Sequence, residues 1–151
     1  MNVKGLEVYQ RIDVDTYRGI SRKFFPKWEG WELLEDEAPI NVIDHAVSTF
    51  YLTYFYYYLK IDIINNFLVE QTIMNFATIH GKRKAIMKLE KACGFPITGK
   101  PSAELMSYTA TNINEVVPMF FLELLEFYEF IGDIDSGLWV LENYRAFKSS
   151  L

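Results

Sequence analysis

The sequence predicts an all-α fold with about six helices and an irregular, aromatic-rich segment near the N-terminus. Half of the 151 residues are apolar and 17% are aromatic, which is enough for a substantial buried core. From about residue 40 onward the apolar residues recur at helical spacing. Glycine and proline interrupt that pattern at helix-length intervals, and their low totals of eight and five leave little material for long loops.

The first forty residues predict little regular structure. Residues 3–11 can form a short helix, and residues 12–16 are too short and polar to be more than a loop or turn. Between residues 19 and 31, two glycines and a proline interrupt a run of bulky rings, namely Phe24, Phe25, Trp28 and Trp31. We therefore expect an ordered but irregular connection there.

Six helices are predicted in the rest of the chain. Their expected spans are 41–60, 62–80, 82–92, 102 onward, 115–131 and 136–147. Pro39 or Asn41 starts the first of them, and Asp62 is the expected cap of the second. The tyrosine-rich residues 54–58 have high strand propensity, but the helical spacing continues on both sides, so we expect helix.

Composition excludes several classes of protein. The net charge is −5, with a pI near 5.1, so the chain offers no surplus of positive charge for nucleic acid. The best basic patch is Arg18, Arg22, Lys23 and Lys27, and we interpret it as a solvated surface. The single cysteine, Cys93, forms no internal disulfide and is interpreted as a small buried thiol.

The sequence shows neither the pattern of a signal peptide nor a tract long enough to span a membrane. No basic stretch followed by an apolar run and a small-residue cleavage site opens the sequence, so we expect synthesis in the cytoplasm without a signal peptide. The most apolar tract, residues 50–59, has about half the length needed to span a bilayer, so no membrane insertion is expected.

Residues 16–31, TYRGISRKFFPKWEGW, resemble a family signature. The phage- and prophage-type N-acetylmuramidases of glycoside hydrolase family 108 carry a T-x-x-G-I-S segment that is followed in many members by N/F-P-x-W-x-G-W. Weaker similarity continues in the same order through residues 50–55, 74–81, 84–94, 97–102 and 137–145. The resemblance therefore covers roughly residues 5–147.

The resemblance implies a lysozyme-like, mostly helical fold. It divides the chain into a muramidase-like half, residues 1–80, and a peptidoglycan-binding-like helical half, residues 81–151, packed as one globular unit. It also implies an activity that needs no cofactor, with peptidoglycan glycan strands as the substrate.

The family's catalytic acid is a Glu that opens an E-G-G-Y motif, followed by an Asp and by the Thr of a G-G-x-T turn. The residues here that match these positions are Glu7 as general acid, Asp13 or Asp15 as second carboxylate, and Thr16. Glycosidic cleavage needs such an acid to protonate the leaving oxygen, while a second carboxylate or an activated water acts at the sugar carbon.

This sequence departs from the family at that site. Both glycines of E-G-G-Y are missing, and the glycines of the following turn are replaced in residues 13–16. Val and Asp resist backbone conformations that glycine permits. The alternative interpretations therefore stay open: Glu7 is an exposed helix-surface carboxylate, Asp13 and Asp15 are turn or cap residues, and Thr16 is a cap.

Candidate substrate-binding residues are Tyr9, Tyr17, Arg18, Trp28 and Trp31. Both tryptophans can stack on sugar rings, although aromatic residues at this density are more often core, and Tyr17 and Arg18 either line a groove or face solvent. His45 and His80 have no partner at ligand spacing, so no metal site is predicted.

Two functions follow from these residues and from the resemblance. The first is a peptidoglycan hydrolase that reaches the cell wall after holin-type release or is carried in a phage particle or injection apparatus. The second is a catalytically degenerate muramidase-fold protein that serves as a virion, injection-apparatus or other interaction component with a protein partner.

Overall fold

The computed structural model describes residues 16–151 of the chain. Two short strands come first, β1 (Thr16–Tyr17) and β2 (Ile20–Ser21). The α-helices of the described range are α1 (Gly30–Glu35), α2 (Ile40–Tyr51), α3 (Phe67–His80), α4 (Lys82–Cys93), α5 (Ala103–Thr111), α6 (Ile113–Ile131) and α7 (Ile134–Ser149). A π-helical segment (Leu52–Tyr57) and a 3-10 helix (Ile61–Ile64) lie between α2 and α3. The predicted all-α fold is confirmed.

The chain divides into two compact units, Met1–Tyr54 and Phe55–Leu151. The predicted boundary at residues 80 and 81 falls inside the second unit, between α3 and α4. The assignment of a muramidase-like and a peptidoglycan-binding-like half, packed as one globular unit, stays a prediction.

The described part of the first unit is built around rings. α2 buries one face through Ile43, Ala46, Val47 and Phe50, a spacing that places these side chains on one side of a helix. The remaining buried apolar residues come from the hairpin, the connection after it and α1, and they are Tyr17, Ile20, Trp28, Trp31 and Leu34.

The second unit has a helical core in which α6 contributes most. Six of its side chains are buried and apolar: Val116, Val117, Phe120, Phe121, Leu124 and Tyr128. They pack with buried residues of α3, α4, α5 and α7 in one cluster. Such a broad apolar surface is what a helix packed on several sides requires.

The predicted helix ends at glycines are confirmed. Gly81, Gly94 and Gly132 follow α3, α4 and α6 directly and have φ values of 103°, 74° and 75°. Residues other than glycine rarely adopt these conformations, so each helix stops there. Ser102 caps α5 through its hydroxyl, which accepts a hydrogen bond from the Leu105 amide, as the sequence predicts for a start at that point.

For residues 52–66, helix rather than strand is confirmed through Tyr57, but the predicted winding and helix boundaries were wrong. The helix expected to run to residue 60 changes to π-helix at Leu52, and a left-handed Lys60 precedes the 3-10 helix. Asp62 lies within that 3-10 helix, and Asn66 caps α3 by accepting a hydrogen bond from the Val69 amide. Helical periodicity does not distinguish α from π or 3-10 winding, and Asn and Asp cap equally well.

Candidate functional site

Residues 16–31, which resemble the family signature, begin with a β-hairpin whose turn has two residues. Tyr17 on β1 pairs with Ile20 on β2. The turn residues Arg18 and Gly19 both have positive φ, 50° and 82°, as a type I′ turn requires. A Cβ at Gly19 would lie 2.6 Å from the Tyr51 hydroxyl. Gly19 therefore adopts the backbone conformation of the turn and also leaves room for the Tyr51 side chain of α2.

Polar contacts tie this hairpin to α2 and α1. The Tyr51 hydroxyl donates a hydrogen bond to the Arg18 carbonyl, and the Arg18 guanidinium lies 3.0 Å from the Asp44 carboxylate. Arg22 contacts Glu35 at 2.7 Å. Ion pairs at such partly exposed positions contribute at most about 1 kcal/mol each to stability.

The two tryptophans pack edge to face at the centre of the first unit. Their ring centroids are 5.0 Å apart with an interplanar angle of 89°. The Trp28 indole N–H donates to the Ala46 carbonyl and the Trp31 indole N–H to the Phe25 carbonyl, at 3.3 and 2.7 Å. A Cβ at Gly30 would lie 2.2 Å from the Trp28 ring. The W-x-G-W spacing thus produces a tryptophan pair that needs glycine between its members.

A groove of about 460 Å³ opens beside this pair, and we call it the aromatic groove. The connection between β2 and α1, one face of α2, and Thr53 and Tyr54 of the π-helical segment form its walls. Its lining residues are Phe24, Phe25, Pro26, Lys27, Trp28, Glu29, Ala46, Thr49, Phe50, Thr53 and Tyr54. Its volume lies in the range of about 300–1,000 Å³ that small-molecule sites occupy.

The lining of the aromatic groove combines exposed rings, buried rings and polar side chains. Phe24 is 72% exposed and Tyr54 is 46% exposed, whereas Trp28 is 9% exposed. Lys27 and Glu29 are exposed as well, and Glu29 is the carboxylate that the described residues contribute to this lining. Such a surface suits a ligand that has flat apolar faces together with hydroxyl or charged groups.

The structure brings four of the predicted substrate-binding residues into one cluster. Tyr17 stacks on Trp28 with centroids 6.4 Å apart, and Trp31 packs against Trp28. The Arg18 guanidinium lies 5.9 Å from the centroid of the Tyr17 ring. Trp28 lines the aromatic groove, and the other three are not among its lining residues. Both tryptophans belong to the core, and their role in sugar binding stays a prediction.

The candidate catalytic residues are placed only in part. Thr16 is half-buried on β1, opposite Ser21. Glu7, Asp13 and Asp15 lie outside the described residues. The substrate-binding candidate Tyr9 also lies outside them.

Sequence reasoning missed Phe24, Glu29 and Tyr54 as lining residues of the aromatic groove. The sequence places Phe24 among the rings of the connection and Tyr54 in the tyrosine-rich helix, with no role for either. The residues come from two segments about twenty-five positions apart. No local motif links these two segments, so only the packing of the connection against α2 and the start of the π-helical segment brings them together.

Neither histidine belongs to a metal-binding cluster in residues 16–151, since no group of three or more His, Cys, Asp or Glu side chains in that range is arranged to hold an ion. His45 is exposed on α2. His80 ends α3 and packs against Phe76 and Phe127, with ring centroids 4.9 Å from each. Burial lowers the pKa of His80, and the nearby Lys84 lowers it further. His80 is therefore a neutral, packed side chain near pH 7.

Across residues 16–151, no helix is both long and apolar enough to cross a membrane. No protein-family model, curated protein sequence or solved structure matches this chain significantly.

Proposed function

We propose that this chain is an N-acetylmuramidase of phage or prophage origin that binds the glycan strand of peptidoglycan in the aromatic groove. The groove carries the proposal. It combines the exposed rings of Phe24 and Tyr54, which can stack on sugar faces, with Lys27, Glu29 and Thr53, which can hydrogen-bond to hydroxyl and amide groups.

The resemblance to glycoside hydrolase family 108 supports the same proposal. The residues that carry it have definite structural roles: Gly19 permits the hairpin turn, Gly30 leaves room for the Trp28 ring, and Trp28 and Trp31 anchor the connection. This segment forms one wall of the aromatic groove. The residues that carry the resemblance therefore help to shape the surface that we propose binds the glycan strand.

The proposed chemistry is carboxylate general-acid catalysis. Glu7 would protonate the leaving glycosidic oxygen, and Asp13 or Asp15 would position water or stabilise the positive charge that develops at the sugar carbon. The Thr16 hydroxyl would hold that water. An acid with this role needs a raised pKa, which burial beside apolar groups supplies.

A second candidate is a catalytically degenerate muramidase-fold protein that binds glycan or a protein partner within a phage particle or injection apparatus. The observation that favours it is the loss of the family glycines around Glu7 and within residues 13–16. A displacement of the acid by about 1 Å can reduce the rate about a hundredfold. Such a protein can therefore lose hydrolytic activity while it keeps its binding surface.

The aromatic groove can be tested by comparing two exposed phenylalanines. We expect Phe24→Ala to weaken binding of purified, solubilised glycan strands roughly tenfold, since about 1.4 kcal/mol of apolar contact is lost. Phe67→Ala is the matched control, because Phe67 is 76% exposed and lies on α3 of the second unit. Binding is measured by isothermal titration calorimetry.

Release of reducing ends from the same strands separates the two candidate functions. Hydrolysis that Phe24→Ala impairs supports the muramidase. Binding that Phe24→Ala impairs, with no hydrolysis by the folded wild type, supports the degenerate scaffold. Equal binding by both alanine variants and the wild type would remove the aromatic groove from either account.

A further inference from the structure

Positive charge is concentrated on one helix of an otherwise acidic protein. The chain carries a net charge of −5 with 15 Lys and Arg residues in total. α4 spans 12 residues and contains five of these basic residues, with Glu90 as its one acidic residue. The basic residues of α4 are Lys82, Arg83, Lys84, Lys88 and Lys91.

Three of these lysines border a second groove, of about 400 Å³, which we call the basic groove. Its apolar surface comes from Met87, Ile97 and Phe127, and Ile97 is 51% exposed. The Lys84 and Lys88 ammonium groups lie 5.0 and 5.6 Å from the centroid of the Phe127 ring.

Glu123 neutralises only part of the charge of the basic groove. Its carboxylate lies 3.7 Å from the Lys88 ammonium and 3.3 Å from that of Lys91. Lys91 nevertheless remains 68% exposed at its side chain, and Lys84 is exposed. The groove therefore presents an apolar floor under a positively charged rim.

Residues 129–135, where α6 ends and α7 begins, combine exposed apolar side chains with negative charge. We call these residues the acidic corner. Phe130 is 89% exposed and Ile134 is 75% exposed. Three carboxylates flank these two side chains, namely Glu129, Asp133 and Asp135. Bulky apolar side chains flanked by carboxylates are complementary to an apolar groove with a lysine rim.

The basic groove and the acidic corner lie next to each other along α6, which contributes residues to both. Phe127 lines the basic groove, and Phe130 and Ile131 follow it on α6 at the third and fourth positions. Residues at these spacings are neighbours on a helix surface. A two-fold interface between two copies can therefore satisfy both surfaces at once, because the groove of each copy then meets the corner of the other.

We propose that this chain forms a two-fold symmetric homodimer in which the acidic corner of each copy docks into the basic groove of its partner. Phe130 and Ile134 cover the apolar floor, and the Glu129 and Asp135 carboxylates pair with Lys84 and Lys91, while Asp133 caps α7 through the hydrogen bonds that it accepts from Ser136. A second copy is the partner that we propose, because its acidic corner supplies both the exposed apolar side chains and the carboxylates that are complementary to the basic groove.

Sedimentation equilibrium of the purified chain measures the association directly. We expect a monomer–dimer equilibrium that shifts toward monomer as salt increases, because part of the attraction is between exposed charges. We expect Phe130→Ser to weaken dimerisation. A wild type that remains monomeric at low salt over the whole concentration range would overturn the proposal.

Charge reversal gives the sharper test. Lys84→Glu/Lys91→Glu makes the groove acidic, and Glu129→Lys/Asp135→Lys makes the corner basic. Each variant alone should dimerise roughly a hundredfold more weakly than the wild type, since its substitutions bring like charges together at the interface. Circular dichroism establishes that each variant is folded.

Mixing the two variants should restore association, because the reversed groove then meets the reversed corner and the native groove meets the native corner. One polypeptide carrying all four substitutions should likewise dimerise by itself. If either variant dimerises as the wild type does, or the mixture of the folded variants stays monomeric, the proposed interface is wrong.

Discussion

Glu90 illustrates how one buried charge can organise a loop. It is 4% exposed, and its carboxylate accepts hydrogen bonds from the Thr98 and Gly99 amides at 2.9 and 2.8 Å and from the Thr98 hydroxyl at 2.6 Å. Arg83 donates to the Thr98 carbonyl. Burial raises the pKa of Glu90, but these hydrogen bonds and Arg83 outweigh it, so the pKa lies below its ordinary value.

We expect Glu90→Gln to lower the free energy of unfolding by about 1.5–3 kcal/mol, because the amide cannot accept all three hydrogen bonds and no longer carries charge. Urea unfolding followed by circular dichroism measures the difference. Glu142→Gln is the control: Glu142 is exposed on α7, and a change within about 0.5 kcal/mol is expected there. Equal effects of the two substitutions would contradict this role of Glu90.

The pH dependence of stability follows from the same contacts. Because the folded-state pKa of Glu90 is lowered, its stabilising contribution is present above the ordinary glutamate pKa, about 4.3, and is lost as the pH falls through the folded value. The difference between wild type and Glu90→Gln should therefore be full near pH 7 and shrink below about pH 4. A difference that is constant across this range would exclude the carboxylate as its source.

Two glycines provide a matched comparison of packing. A Cβ at Gly30 would lie 2.2 Å from the Trp28 ring, whereas a Cβ at Gly137 would meet its nearest neighbour at 3.7 Å. We expect Gly30→Ala to destabilise the first unit by about 1–3 kcal/mol, and Gly137→Ala to be neutral or stabilising by up to about 1 kcal/mol. Thermal unfolding monitored by tryptophan fluorescence and far-UV circular dichroism compares them, and destabilisation by both would contradict this difference in packing.

At the scale of the element, helix boundaries depend on single polar side chains. The Ser102 hydroxyl accepts the Leu105 amide hydrogen bond at 3.1 Å. We expect Ser102→Ala to lower the free energy of unfolding by about 1 kcal/mol. Ser107→Ala, at an exposed position inside α5, should be neutral or slightly stabilising because alanine has the higher helix propensity. Chemical denaturation distinguishes the two, and an equal loss would argue against capping.

The sequence predicts these elements unevenly, for physical reasons. Glycine positions fix the ends of α3, α4 and α6 because the left-handed region excludes most other residues. The hairpin and α1 were not predicted, because their strands have two residues each and the helix has six. Such short elements depend on tertiary contacts, here the Tyr17 and Trp31 rings, more than on local periodicity.

At the scale of the molecule, the sequence predicts which segment contributes to the candidate site, but not which residues line the aromatic groove. The family-like residues 16–31 do form one wall of the aromatic groove, but the sequence singled out the tryptophans as sugar contacts. Indole rings have an N–H that can be satisfied by backbone carbonyls, and both tryptophans are buried in this way. Which rings stay exposed, here those of Phe24 and Tyr54, depends on how α2 and the π-helical segment after it pack against the connection.

Charge also acts at this scale. The acidic chain gains no general attraction to an anionic cell wall, so the proposed muramidase must recognise the glycan through local contacts in the aromatic groove. The basic groove and acidic corner are on the second unit and concern self-association. Glycan binding and dimerisation are therefore predicted to respond to separate sets of substitutions.

The most direct test of the proposed function is release of reducing ends from purified peptidoglycan by the wild type, Glu7→Gln and Glu29→Gln, with identification of the sugar at the new end. We expect new ends at N-acetylmuramic acid, abolished by Glu7→Gln and retained, with weaker substrate binding, by Glu29→Gln. Absence of release by the folded wild type, or full activity of Glu7→Gln, would contradict the proposed function.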